Sequence, residues 1–229
     1  MKKISGILFD FNGTLFFDSR MHIEAFGRVE AMYSAPISSE EHLIKNVFGR
    51  TNEQIFKENI KPDATPEECE LFNARKKRFY FEACLASPER FKLVDGVCEM
   101  LDYLKENNVP YALATGSDKE EVDFFMKHLG LDRWFSYERN IVYTNGTFKG
   151  KPAPDCYILA AERISLPTSE CAVFEDGRSG ITAAMSAGCG AIIAMCERGI
   201  PSPVSENMTL DGEYHSFENW KAILSELGL

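Results

Sequence analysis

A chain of 229 residues with 45% hydrophobic content has enough apolar material to close its own core, as one large domain or a domain carrying an insertion. Its formal net charge of -10 argues against nucleic acid and against an anionic membrane surface as partners, because clustered lysine and arginine hold both, whereas a small anion needs only a local positive pocket. Seven cysteines, an odd number without a C-x-x-C pair, argue against a disulfide framework or a zinc site and are expected mostly as small buried hydrophobes.

The opening stretch, MKKISGILFDF, reaches Asp10 too early for a signal peptide, and no apolar run approaches about 20 residues, so a soluble cytoplasmic protein is expected. Residues 4–9, ISGILF, read as a strand buried on both faces that delivers Asp10 to its C-terminal end. From Phe16 to about Ser87 no strand pattern occurs. Amphipathic segments follow one another instead, at 19–33, 39–48, 52–59 and 66–86, the last opened by Thr65 as cap, Pro66 in the first turn and Glu68 as capping-box partner. This predicts a helical insertion over residues 18–86.

Three further apolar runs follow, YALAT (111–115), CAVFE (171–175) and AIIAM (191–195), separated by helical stretches. The alternation predicts an α/β core with a doubly wound parallel sheet, built from residues 1–17 and 87–229. Ser117 and Glu120 read as a capping box for a helix ending at Leu129, with Gly130 as its stop. Asn145-Gly146 is a hairpin signal and predicts a small antiparallel ribbon ahead of Lys151.

In an open parallel sheet, ligands collect outside the C-terminal ends of the strands. The residues that follow the strands should therefore meet: Asp10 and Asn12, then Thr115, Gly116 and Ser117, then Glu175 and Asp176, with Lys151 supplied by a loop. Carboxylates, a hydroxyl and an ammonium suit phosphoryl chemistry. Asp10 and Asp176 would hold Mg²⁺, a hard cation that prefers oxygen; Thr115 and Lys151 would neutralise phosphate oxygens; and Asp10 would act as nucleophile, forming an aspartyl-phosphate. Glu175 would orient Lys151 or a metal-bound water.

These residues carry a resemblance to the haloacid dehalogenase-like (HAD) hydrolases. DFNGTL resembles motif I, usually Asp-x-Asp-x-Thr; LATGS resembles motif II through Thr115; KGKPAPD resembles motif III through Lys151; FEDGRSG resembles motif IV through Glu175 and Asp176. The resemblance implies a Rossmann-like core with the insertion as a helical cap, as in the subgroup of β-phosphoglucomutase and phosphoglycolate-type phosphatases. It also implies substrate-binding roles in the cap for His22 of SRMHIEAF and for Gly49 and Arg50 of FGRTNEQ. In the basic run RKKR (75–78), Lys76 or Lys77 would reach the distal part of the substrate, and Gly116 and Ser117 would line the phosphate.

The sequence departs from the family at one catalytic position. The resemblance gives the second carboxylate of motif I the task of passing a proton to the leaving oxygen and then activating water; Asn12 stands there, and an amide does neither. It keeps the backbone carbonyl that the family offers to Mg²⁺. Loss of a positioned acid and base lowers rate by about 10² to 10⁴. Three functions stay open: a slowed Mg²⁺-dependent phosphatase for a small phosphorylated metabolite, a β-phosphoglucomutase-like phosphomutase, and a non-catalytic phospholigand-binding protein. A monomer or weak homodimer is expected.

Overall fold

A computed structural model describes residues 3–44, 51–200, 202 and 208–229. The chain divides into two compact units, one made of Met1–Phe17 and Leu93–Leu229 and the other of Asp18–Lys92.

The first unit is an α/β sandwich. Strand β1 (Gly6–Phe9) is followed, after the second unit, by α5 (Val97–Glu106), β2 (Tyr111–Asp118), α6 (Lys119–Leu129), β3 (Ile141–Thr144), α7 (Asp155–Arg163), β4 (Cys171–Glu175), α8 (Arg178–Ser186), β5 (Ala191–Met195), β6 (Gly212–Tyr214) and α9 (Trp220–Leu227). The six strands form one sheet in the order β3-β2-β1-β4-β5-β6, and every pairing is parallel. β1, β4 and β5 are buried along their whole length, which is why they read as unbroken apolar runs. On one face, Phe9 stacks on Phe174 with ring centroids 5.3 Å apart, and Phe217 closes against both. On the other, Ala160 and Ala161 of α7 and Ala183 and Ala184 of α8 join Leu8 and Val173 in a dense cluster, their small side chains letting the helices lie close.

Order reverses between β1 and β4, the switch point at which such sheets open a crevice. Phe9 is paired with Phe174, so the next residues, Asp10 and Glu175, leave the sheet side by side.

Two local expectations are corrected. Strand β2 runs on to Asp118, which pairs with Thr144, so the capping box of α6 is Asp118 with Glu121 and lies one residue beyond Ser117 and Glu120. No antiparallel ribbon surrounds Asn145-Gly146 among the described residues. Ile141 and Val142 are buried as a parallel neighbour of β2, and the Asn145 side chain instead accepts from the backbone and hydroxyl of Thr147 in an Asx turn. Pairing with the sheet overrides the hairpin signal.

The second unit is helical among its described residues: α1 (Ser19–Met32), a short α2 (Glu40–His42), α3 (Asn52–Asn59) and α4 (Pro66–Ala86). Of the segment expected as a helix at 39–48, residues 45–48 lie outside the described residues. Capping boxes open α3 through Thr51 and Gln54 and α4 through Thr65 and Glu68, with Pro66 in the first turn of α4. Phe56 stacks on Phe72 at 4.5 Å, and Tyr33 packs against both rings. The unit ends at Lys92, beyond the expected residue 86, and so takes in the turn after α4, in which Arg90 and Phe91 donate their amides to the Ser87 carbonyl. No described helix is long and apolar enough to cross a membrane.

Inside this unit the buried Asp18 carboxylate accepts the Tyr80 hydroxyl at 2.6 Å. A hydrogen bond to a buried charge contributes about 1.5–3 kcal/mol. Tyr80→Phe, which removes only the hydroxyl, is expected to lose stability in that range in urea unfolding; an unchanged midpoint would contradict the bond's role.

Candidate active site

Two adjacent strand ends set out the centre of the site. Asp10 follows β1 and is 6% exposed, and Glu175 ends β4 and is 2% exposed. Left alone, two buried carboxylates side by side would repel each other and resist ionisation. Lys151, from the loop between β3 and α7, resolves the conflict: its ammonium donates to Asp10 Oδ1 at 2.5 Å and to Glu175 Oε1 at 2.7 Å. Glu175 is held from other directions as well, accepting the Gly177 amide at 2.6 Å and the Tyr157 hydroxyl at 3.2 Å. Glycine at the start of α8 allows this approach, since a Cβ at Gly180 would fall 1.5 Å from Glu175 Oε1.

Burial opposes the charge on Lys151, but the Asp10 and Glu175 carboxylates outweigh it and hold its pKa well above the ordinary 10.5. Burial and the Glu175 charge push the Tyr157 hydroxyl well above its usual range.

Asp176 completes an acidic group. Asp10, Glu175 and Asp176 each offer an oxygen, and these atoms lie within 4.8 Å of one another. A set of hard oxygen donors at this spacing fits a divalent cation such as Mg²⁺ far better than a softer metal. Gly13 makes room for it: with φ at +76, its missing Cβ would sit 2.0 Å from Asp176 Oδ2, so the turn after β1 presses its backbone against this carboxylate. The Thr14 hydroxyl donates to Asp176 Oδ1 at 3.4 Å and steadies it from the same turn.

Asn12 lies on that turn too. Its side-chain oxygen accepts the Ser117 hydroxyl at 2.9 Å, while the Ser117 amide donates to the buried Thr115 hydroxyl at 3.1 Å. Ser117 is thus freed from capping by Asp118 and spends its hydroxyl on Asn12, a contact between the turn after β1 and the end of β2 that motif spacing did not suggest. Gly116 between them is exposed.

In the helical unit, His22 and Lys76 come together. Lys76 Nζ lies 2.8 Å from His22 Nδ1, and His22 Nε2 lies 3.2 Å from Asp18 Oδ2. The His22 ring stacks on Tyr80 at 4.4 Å, and the largely buried Lys76 ammonium sits 5.0 Å over the Phe26 ring. Asp18 and Tyr80 were missed in the sequence. Their signals are helical spacings, Asp18 four residues before His22 at the start of α1 and Tyr80 four after Lys76 on α4. Thr14 and Tyr157, which support Asp176 and Glu175, were missed as well. Gly49 and Arg50 lie outside the described residues.

Breaking a buried ion pair by removing one partner costs about 3–5 kcal/mol. Lys151→Ala should lose about that much in denaturant unfolding. Because the folded pKa of Lys151 is raised, its contribution is complete below the unfolded value of 10.5 and fades only as pH rises through the raised one, so the loss should be the same at pH 7 and pH 9. A variant as stable as the parent would contradict the account of this cluster.

Comparison with known proteins bears on the same residues. A family model for haloacid dehalogenase-like hydrolases matches residues 4–188, a span that includes every strand-end residue described above. The chain is 29% identical over 187 residues to a phosphorylated carbohydrates phosphatase of Thermotoga maritima, covering 81% of this chain and 82% of that one. It is 27% identical over 191 residues to the fructose-1-phosphate phosphatase YqaB of Escherichia coli, covering 83% and 96%. Among solved structures, a HAD hydrolase of family IA, variant 3, from Entamoeba histolytica superposes with a TM-score of 0.84 at 30% identity, covering 99% of this chain and all of that one. With the family model spanning β1 through α8, the chain belongs to the haloacid dehalogenase-like hydrolases.

Proposed function

We propose that this protein is a Mg²⁺-dependent phosphatase for a small phosphorylated metabolite, with Asp10 as nucleophile, and that Asn12 slows it. The observation that carries the reading is the buried group of Asp10, Glu175 and Asp176 with Lys151 bound into it, at the sheet's switch point. The relatives support a phosphorylated carbohydrate as the substrate class, since one is named for such compounds and another for fructose-1-phosphate. The protein would act in the cytoplasm, as a monomer or weak homodimer.

In this reading an Asp10 carboxylate oxygen attacks phosphorus and takes the phosphoryl group as an aspartyl-phosphate. Mg²⁺, held by Asp10, Asp176 and the backbone carbonyl of Asn12, would supply neutralisation of the phosphoryl charge. Lys151 and the Thr115 hydroxyl fix phosphate oxygens, and Glu175 keeps Lys151 in position. Gly116 and Ser117 line the phosphate. His22, Lys76, Gly49 and Arg50 of the helical unit select the rest of the substrate. The leaving oxygen must gain a proton, and Asn12 has none to give.

The amide favours one second reading, a phospholigand-binding protein that keeps the metal and phosphate sites without turnover. A phosphomutase is disfavoured on the same ground, because both of its half-reactions move a proton through position 12.

Phosphate release from a panel of sugar phosphates, with and without Mg²⁺, separates these readings. Asn12→Asp is expected to raise the rate by about 10² or more, the usual contribution of a positioned acid and base. Equal rates would show that position 12 is not the site of the defect, and silence of both proteins with retained phosphate binding would favour the second reading. Asp10→Asn should abolish turnover in either background.

A further inference from the structure

Resting on the phosphatase reading above, we infer that the chain takes phosphoryl groups from donors whose leaving group departs as a stable anion, acyl phosphates above all, and that the phosphoryl group then stays on Asp10. The carboxylate missing at position 12 leaves two proton movements without a carrier. What matters is whether another group can take them over, and the described candidates are already committed.

At position 12 the side-chain oxygen holds the Ser117 hydroxyl. The Thr14 hydroxyl is bonded to Asp176 and the Tyr157 hydroxyl to Glu175. The Lys151 ammonium is shared between Asp10 and Glu175, an arrangement that suits holding negative oxygens and not delivering protons to a leaving group. The remaining candidate is His22, whose imidazole is the side-chain type that most often carries protons in catalysis. Both of its ring nitrogens are engaged within the helical unit. An ammonium donates and cannot accept, so Lys76 fixes Nδ1 as the acceptor, and Nε2 carries the hydrogen toward Asp18. Asp18 is fixed in turn by Tyr80. A ring held in this way has each nitrogen directed at a partner within the helical unit.

The chemistry then sorts donors by leaving group. With an acyl phosphate, an Asp10 oxygen bonds to phosphorus, the bond from phosphorus to the acyl oxygen breaks, and the electron pair leaves on a carboxylate that needs no proton. With an alkyl phosphate the same bond change expels an alkoxide, which must be protonated. Hydrolysis of the aspartyl-phosphate requires water to lose a proton as it attacks phosphorus and releases the Asp10 carboxylate, so this step is slow whatever the donor.

The test uses the full chain with Mg²⁺, mixed with acetyl phosphate or with glucose 6-phosphate, quenched in acid and read by intact mass for an added phosphoryl group, with phosphate release followed in parallel. The ratio of the acetyl phosphate rate to the glucose 6-phosphate rate should be at least about 10² larger in the unsubstituted chain than in Asn12→Asp, and its phosphoprotein should outlive that of the variant by a similar factor. Equal ratios, or equal lifetimes, would overturn the inference. If Asn12→Asp turns over glucose 6-phosphate while acetyl phosphate leaves the unsubstituted chain unlabelled, the inference falls and the phosphatase reading stands. If neither protein is labelled or releases phosphate from either donor, Asp10 is no nucleophile and both fall.

Discussion

The bond network on which the site depends is the ammonium of Lys151 lodged between the Asp10 and Glu175 carboxylates. Parallel pairing of β1 with β4 forces these two acids to emerge together, and burial makes their repulsion expensive. One cation settles that conflict, and in the proposed function the same ammonium meets a phosphoryl oxygen. The supports around it follow from the same need: Tyr157 and the Gly177 amide satisfy Glu175, and the glycine at 180 lets α8 begin against it. Fold and chemistry share these contacts, so the stability of the core and the competence of the site are expected to vary together.

In the proposed function, position 12 separates binding from turnover. The parts that the proposed phosphate site uses are present: an acidic group that could hold a divalent cation, a lysine bonded into it, and a buried threonine whose hydroxyl accepts the Ser117 amide. What hydrolysis further needs is a group that changes its proton count during the reaction, and an amide joined to a serine hydroxyl does not. His22 sits in a chain of contacts from Lys76 through Asp18 to Tyr80, which orients the ring and at the same time occupies it. Such a histidine is suited to positioning and poorly suited to proton transfer.

Much of this was legible in the sequence for a physical reason: strands buried on both faces must be continuously apolar, and β1, β4 and β5 are. The polar residues that end those runs stood out for the same reason. The edge strands were not read as part of the sheet, β3 being taken for one arm of an antiparallel ribbon and β6 not read at all, because they are short, with four residues and three, so periodicity had little to act on. Ser117 was misread because a capping box can be shifted by one residue without changing composition; the pairing of Asp118 with Thr144 decides it, and that is a contact between strands distant in sequence. The partners of Lys151 and the link between His22 and Asp18 depend on tertiary geometry of the same sort.

Locating the transferred phosphoryl group tests the central claim most directly. Protein mixed with Mg²⁺ and a phosphoryl donor, quenched in acid and divided for hydroxylamine treatment and peptide mapping, should carry the group on Asp10 and lose it to hydroxylamine, as an acyl-phosphate does. A phosphoryl group that resists hydroxylamine, or one that maps to a residue other than Asp10, would contradict the account.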